Sequence, residues 1–161
     1  MGKDNQIEAA QILSISEHLN EMFTAYRTVI PFKVEPTKQM LDTWFEGGSK
    51  DTSGMAVHEG QRTRYLAWWL GRIENTLDNY GFAVGKQLSL ADVLLYSNLA
   101  DSLQPKEIKK GTAWYRTVPF CDLARTQAAV AKHPKIKASC DVVANNANIR
   151  KWLSMRGVQE F

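Results

Sequence analysis

The most constraining stretch of this chain runs from Gly85 to Leu103 and reads GKQLSLADVLLYSNLADSL. Ser89 followed three residues later by Asp92 is a capping-box pattern, in which the serine hydroxyl and the aspartate carboxylate satisfy each other's backbone N–H at a helix start. Leu88 before the cap and Val93 after it have the spacing of a hydrophobic staple. Beyond the cap, Leu90, Val93, Leu94, Leu95, Tyr96, Leu99, Ala100 and Leu103 cover nearly the whole helical circumference. A helix apolar on most sides belongs in the middle of a domain, so the stretch predicts a central buried helix. On this reading Ser89 and Asp92 are structural residues and not catalytic ones.

Long helices are expected to flank it. Ile12, Ile15, Leu19, Met22, Tyr26 and Val29 step by three and four and predict a helix over 5–30, ended or bent at Pro31. Leu66, Trp69, Leu70, Ile73, Leu77 and Tyr80 predict a second one over 60–80, with Arg62, Arg64, Arg72 and Glu74 on its wet side and Gly81 as its C-terminal cap. Trp68 and Trp69 cannot face the same way, which puts one of them at an edge or interface. Between these helices, Met40, Leu41, Trp44 and Phe45 indicate a short helix, followed by a mobile connection through 49–54.

After the central helix, a loop broken by Pro105, Gly111 and Pro119 leads to a helix over about 120–132, with Leu123, Ala124 and Val130 inward. Pro134 suits the first turn of the next helix, which carries Ile136, Cys140 and Val143. Ile149, Trp152, Leu153 and Met155 make a short last one, stopped at Gly157. No alternating run with hairpin turns predicts a strand. The expected class is all-α, one domain over residues 1–161, a bundle of roughly five to seven helices.

Several functions lack their sequence signals. A net charge of +3 spread over scattered Lys and Arg gives no nucleic-acid footprint. No apolar run reaches membrane-spanning length. The polar N-terminus is neither a secretory signal nor a typical transit peptide, which leaves the cytoplasm as the expected location. Cys121 and Cys140 form no CxxC, and His18, His58 and His133 are isolated from one another and from the cysteines, so no metal site is expected. The histidines are expected to be surface or packing residues.

The order of the pieces resembles a known family. Two long antiparallel helices, then Gly85, Ser89 and Asp92 in G-x-x-x-S-x-x-D, then Pro134 and Ile136, then Ile149, Trp152, Leu153 and Arg156 in I-x-x-W-L-x-x-R, are similar to the C-terminal helical domain of cytosolic glutathione S-transferases. The resemblance covers nearly the whole chain. The opening GKDNQIEAAQI also resembles the interdomain junction of alpha-, mu- and sigma-like members, where a thioredoxin-like domain precedes this point. Met1-Gly2 stands in its place here, so the chain looks like half of a transferase: a fragment, an internal-start product or a free-standing domain.

The resemblance implies a division of labour. The thioredoxin-like domain binds glutathione and stabilises the reactive thiolate. The C-terminal domain supplies the pocket for a hydrophobic small molecule, the electrophile, and much of a homodimer contact. This chain alone is then expected to catalyse little or nothing. By position after the GKD junction, Glu21 corresponds to an acid, more often Asp, that reaches across the dimer to the glutathione amino group; otherwise it is an exposed helix acid. Phe23, Thr24, Arg27 and Thr28 correspond to the electrophile pocket, against core packing for Phe23 and a solvated face for Arg27. Leu94 and Asn98, with Ser97, are weaker pocket candidates on the central helix, where buried polar groups also serve backbone carbonyls. Trp152 and Phe161 either close the pocket from the C-terminal end or, for Trp152, pack in the core. The competing readings are a non-catalytic interaction or scaffold module, as in translation factors and aminoacyl-tRNA synthetase assemblies, and a structural domain without its partner domain.

Overall fold

The computed structural model of the chain describes residues 3–47, 55–58, 61–101 and 119–155. Expectations placed on Leu103, Gly111, Arg156, Gly157 and Phe161, on the 49–54 connection and on the side chains of His58 and Arg62 lie outside the described residues and side chains. The described part is helical: α1 (Lys3–Val29), α2 (Lys38–Glu46), α3 (Leu66–Thr76), α4 (Leu90–Leu99), α5 (Leu123–Val130), α6 (Pro134–Asn145) and α7 (Ala147–Met155). One antiparallel hairpin interrupts it, β1 (Met55–His58) with β2 (Gln61–Arg64), in the register Met55 to Arg64 and His58 to Gln61. The all-α class holds, but the expectation of no strand at all does not.

The core forms where the helical stripes meet. On α1, Ile15, Leu19, Met22 and Tyr26 are buried, as are Leu66, Trp69, Leu70 and Ile73 on α3 and Ala91, Leu95, Tyr96 and Leu99 on α4. Helix α4 packs mainly against α6 and also against α1, so it is central to the bundle. It is not buried all round, however. Leu90 is 60 % exposed, and Val93 and Ser97 on the same side are exposed as well.

The capping box of Ser89 and Asp92 is formed, and it does more than start a helix. Asp92 is fully buried. Its Oδ2 accepts from the Ser89 N–H at 2.8 Å and the Ser89 hydroxyl at 2.7 Å. Its Oδ1 accepts from the Ala83 N–H at 2.7 Å and from the Ser139 hydroxyl on α6 at 2.8 Å. Four donors replace the water that a buried carboxylate gives up. One side chain therefore ties the entry loop, α4 and α6 together. Within that loop Gly85 adopts φ +67, and a Cβ there would stand 2.9 Å from Glu8 Oε1. Both conditions call for glycine.

The second long helix is shorter than its apolar spacing implies. Helix α3 spans only Leu66–Thr76. Residues 61–64 are strand, and Leu77 leaves the helix with extended backbone while remaining buried. Tyr80, expected in the stripe, is 61 % exposed because the chain has already turned away. Gly81 has φ +84, but it lies in this later turn and does not cap the helix. Glu74 was expected on the wet side, yet it acts as a tertiary cap for α6. Its Oε1 accepts from the Lys135 N–H at 2.9 Å and its Oε2 from the Ile136 N–H at 3.0 Å. These are first-turn donors with no partner inside their own helix. Pro134 occupies that same first turn, as its missing N–H predicts.

Candidate functional site

The site grows from the C-terminal end of α1. Phe23 and Arg27 are separated by one turn, and Thr24 adjoins them, so a single helix end presents all three. Pro31 then turns the chain. The Val34 N–H donates to the Pro31 carbonyl at 3.3 Å, closing a turn with Lys33 in the left-handed region at φ 65. A non-glycine residue there carries a modest strain. The turn brings Phe32 back over the helix end, where the Arg27 guanidinium lies 4.4 Å from its ring centroid. Phe23, Thr24, Arg27 and Phe32 line a concavity of about 360 Å³.

An aromatic cluster supports this concavity from behind. Phe23 stacks on Phe120 at 5.4 Å between centroids. Phe120 also meets Tyr26 at 5.1 Å and Trp44 at 5.3 Å. Phe120 is buried, and it sits in a 3-10 turn (Pro119–Cys121) where both Phe120 and Cys121 have left-handed φ values of 51 and 60. Burial of the ring among four aromatic neighbours holds that strained turn in place. The Tyr26 hydroxyl donates to Cys121 Sγ at 3.5 Å, and Arg27 lies 5.1 Å above the Tyr26 ring.

A second clamp fixes the wall of this cluster. Arg125 on α5 pairs with Asp42 at 2.9 Å and with Glu46, both on α2, while lying 4.7 Å over the Phe45 ring. Lys38 also pairs with Asp42, and the two cations hold that carboxyl below its ordinary range, the Lys38 hydrogen bond contributing most.

The residues singled out from sequence fall into three groups. Phe23, Thr24 and Arg27 come together around the concavity. Thr28 is exposed one turn beyond Thr24, donates to the Ala25 carbonyl at 2.7 Å and is not among the described lining residues. Glu21 is exposed on the face that carries Thr24, three residues earlier and so about 4.5 Å back along the axis. Leu94 and Asn98 lie half-buried on α4, also outside the described lining, with the Asn98 amide donating to the Leu94 carbonyl at 2.8 Å. Ser97 is exposed and donates to the same carbonyl at 3.2 Å. Trp152 is 54 % exposed, so it is not a core residue. Phe32 was missed, because it follows a helix-ending proline and belongs to no periodic pattern.

Close to Glu21 lies a buried histidine. His18 is 8 % exposed, and its Nε2 accepts from Arg72 Nε on α3 at 2.8 Å. Accepting at Nε2 requires the neutral ring with its proton on Nδ1. That Nδ1 is buried and has no hydrogen-bond partner. Burial lowers the His18 pKa, Arg72 lowers it further, and Glu21 opposes both. Arg64 and Arg72 flank the Trp68 ring at 4.0 and 5.5 Å, so Trp68 rather than Trp69 is the half-exposed tryptophan of the pair. Cys140 is buried, and desolvation pushes its thiol up to about 12, which leaves it unreactive. Among the described residues no three His, Cys, Asp or Glu side chains gather as a metal site would need.

With the fold in view, comparison with known families gives one result. Residues 37–138 match the family described as glutathione S-transferase, C-terminal domain. No curated protein and no solved structure matches the sequence. The family match spans well over half of the chain, and the chain belongs to the glutathione S-transferase C-terminal domain family. The matched segment begins after α1, so it includes neither Glu21 nor the residues that line the concavity.

Proposed function

We propose that this chain is the electrophile-pocket and dimerisation domain of a glutathione S-transferase-like protein. Conjugation of glutathione to hydrophobic electrophiles then needs a thioredoxin-like domain to hold glutathione and activate its thiol. The observation that carries the proposal is the concavity of about 360 Å³ lined by Phe23, Thr24, Arg27 and Phe32. It has two aromatic walls and few polar groups, the usual make-up of a small-molecule site. Glu21, exposed on the Thr24 face, is proposed as the carboxylate offered across a homodimer to the glutathione ammonium. Detoxification in the cytoplasm is the corresponding cellular role.

Calorimetry with a chlorodinitrobenzene electrophile tests the pocket. The wild-type chain is expected to bind it, and Thr24→Trp, which fills the concavity from an exposed position, is expected to abolish binding while the chain stays folded. Unchanged binding to that variant overturns the pocket assignment. For Glu21, the Glu21→Ala change in a protein carrying the thioredoxin-like domain is expected to raise the KM for glutathione about tenfold, the scale of one charge-assisted contact. An unmoved KM removes that assignment.

A further inference from the structure

Arg64, Trp68 and Arg72 recur every four residues from the end of β2 along α3. The Arg64 guanidinium lies 4.0 Å from the Trp68 ring centroid and that of Arg72 lies 5.5 Å from it, so one half-exposed indole holds two cations. The indole is fixed by the buried Trp69, whose ring meets it edge to face at 4.7 Å and whose N–H donates to the Arg64 carbonyl at 3.2 Å. Arg72 spends its Nε on His18 Nε2 at 2.8 Å, which leaves its terminal amino groups without an acceptor among the described residues. The Trp68 indole N–H has none among them either. Neither arginine makes an ion pair among the described residues. Glu21 acts on His18 without pairing with Arg72, and Glu74 is engaged at the start of α6. Arg125, by contrast, stacks on Phe45 and meets two carboxylates, those of Asp42 and Glu46.

We propose that Arg64, Trp68 and Arg72 form a docking surface for a carboxylate-rich segment of a partner protein. The surface lies apart from the electrophile pocket and does not depend on it. Two permanently charged guanidinium groups within 5.5 Å of one ring centroid repel each other, and carboxylates relieve that repulsion. Ring contacts use the face of a guanidinium and leave the donors in its plane, where a carboxylate accepts two parallel hydrogen bonds. The edge of an indole is the positive end of its quadrupole and carries an N–H, so it also suits an anion. Tryptophan and arginine are the side chains that most often dominate binding energy at protein interfaces. Approach is open: Ala67 is exposed, and a Cβ at Gly71, one turn on from Trp68, would meet nothing within 4 Å. A nucleic-acid base is a poorer fit, since guanidinium groups already lie over the ring on which it would stack. A second copy of the chain is also a poorer fit, because a two-fold axis at Trp68 would set the arginines of the two copies against each other.

The test uses an octapeptide that alternates glutamate with leucine and its counterpart with glutamine for glutamate, with calorimetry on the 161-residue chain. The acidic peptide is expected to bind about tenfold more tightly than the neutral one, or better. Arg64→Gln and Arg72→Gln should each weaken the acidic peptide about fivefold, the upper range for an exposed ion pair. Arg150→Gln on α7 should leave it within about twofold. Gly71→Glu should abolish binding in a chain that stays folded, since it supplies a carboxylate beside Arg72 and replaces a helix-interior glycine with a better helix former. Equal affinities for the two peptides, or equal losses for Arg64→Gln and Arg150→Gln, overturn the docking surface. Tighter binding of oligouridylate than of the acidic peptide at the same residues overturns it in favour of an RNA contact. Self-association of the chain that Gly71→Glu abolishes while peptide binding persists overturns it in favour of a contact between copies.

Discussion

Asp92 gives up hydration completely, and what replaces it determines how much the residue matters. A helix cap of this kind contributes about 0.5–2 kcal/mol on its own. Here the carboxylate also serves the Ala83 N–H and the Ser139 hydroxyl. Asp92→Ala would leave buried donors without acceptors, a cost on the order of 3 kcal/mol, whereas Ser89→Ala should cost about 1 kcal/mol. Denaturant midpoints check this; equal losses for the two variants would mean that the tertiary bonds add nothing. His18 makes a second prediction at this scale. Its folded pKa lies below 6.5, through burial first and Arg72 second. The unfolded chain therefore takes up the proton more readily, so stability falls as pH drops below about 6.5 and levels off below the folded pKa. His133 is lowered too, chiefly by burial, and adds to the same window. His18→Gln should flatten, but not remove, the loss of stability on acidification; an unchanged profile contradicts the Arg72–His18 arrangement.

At the scale of elements, the interplay of α3 and α6 shows what a linear pattern misses. The Ser89–Asp92 box, Pro134 in a first turn and the α1 stripe are local signals, carried within a few residues, and each is read directly from sequence. The role of Glu74 depends on a helix start some sixty residues away, and no local pattern announces it. Glu74→Ala should cost about 1–2 kcal/mol by freeing the first-turn donors of α6, while Asn75→Ala beside it, on an exposed position, should be near neutral. Equal midpoints for the two variants would contradict the tertiary cap. The end of α3 was misread for a related reason. Leu77 keeps its place in the apolar series and in the core after the helix has stopped, so spacing alone runs on to Tyr80. The four-residue strands of the hairpin are too short and too polar, in GQRTR especially, to show an alternating pattern. On α4 the apolar count suggested burial all round, but the neighbours in this chain cover only part of it and Leu90 stays exposed.

Across the whole molecule, fold and family were legible because the signature residues are folding devices that leave a local mark, Ser89 and Asp92 at the start of α4 and Pro134 at the start of α6, whatever tertiary bonds they also make. The site was legible only in part. Phe23, Thr24 and Arg27 share a helix end and could be read together, whereas Phe32 joins them only because the turn after Pro31 doubles back with Lys33 in a left-handed conformation. The aromatic cluster behind them draws on α1, α2 and the turn at Phe120, which are distant in sequence. The central claim is that a small aromatic ligand enters at the C-terminal end of α1. Amide shifts of the isotope-labelled chain during titration with the chlorodinitrobenzene electrophile test it most directly. The account predicts the largest saturable shifts at Phe23 to Phe32, lost in Thr24→Trp; shifts centred on another part of the bundle, or none at saturating ligand, would contradict it.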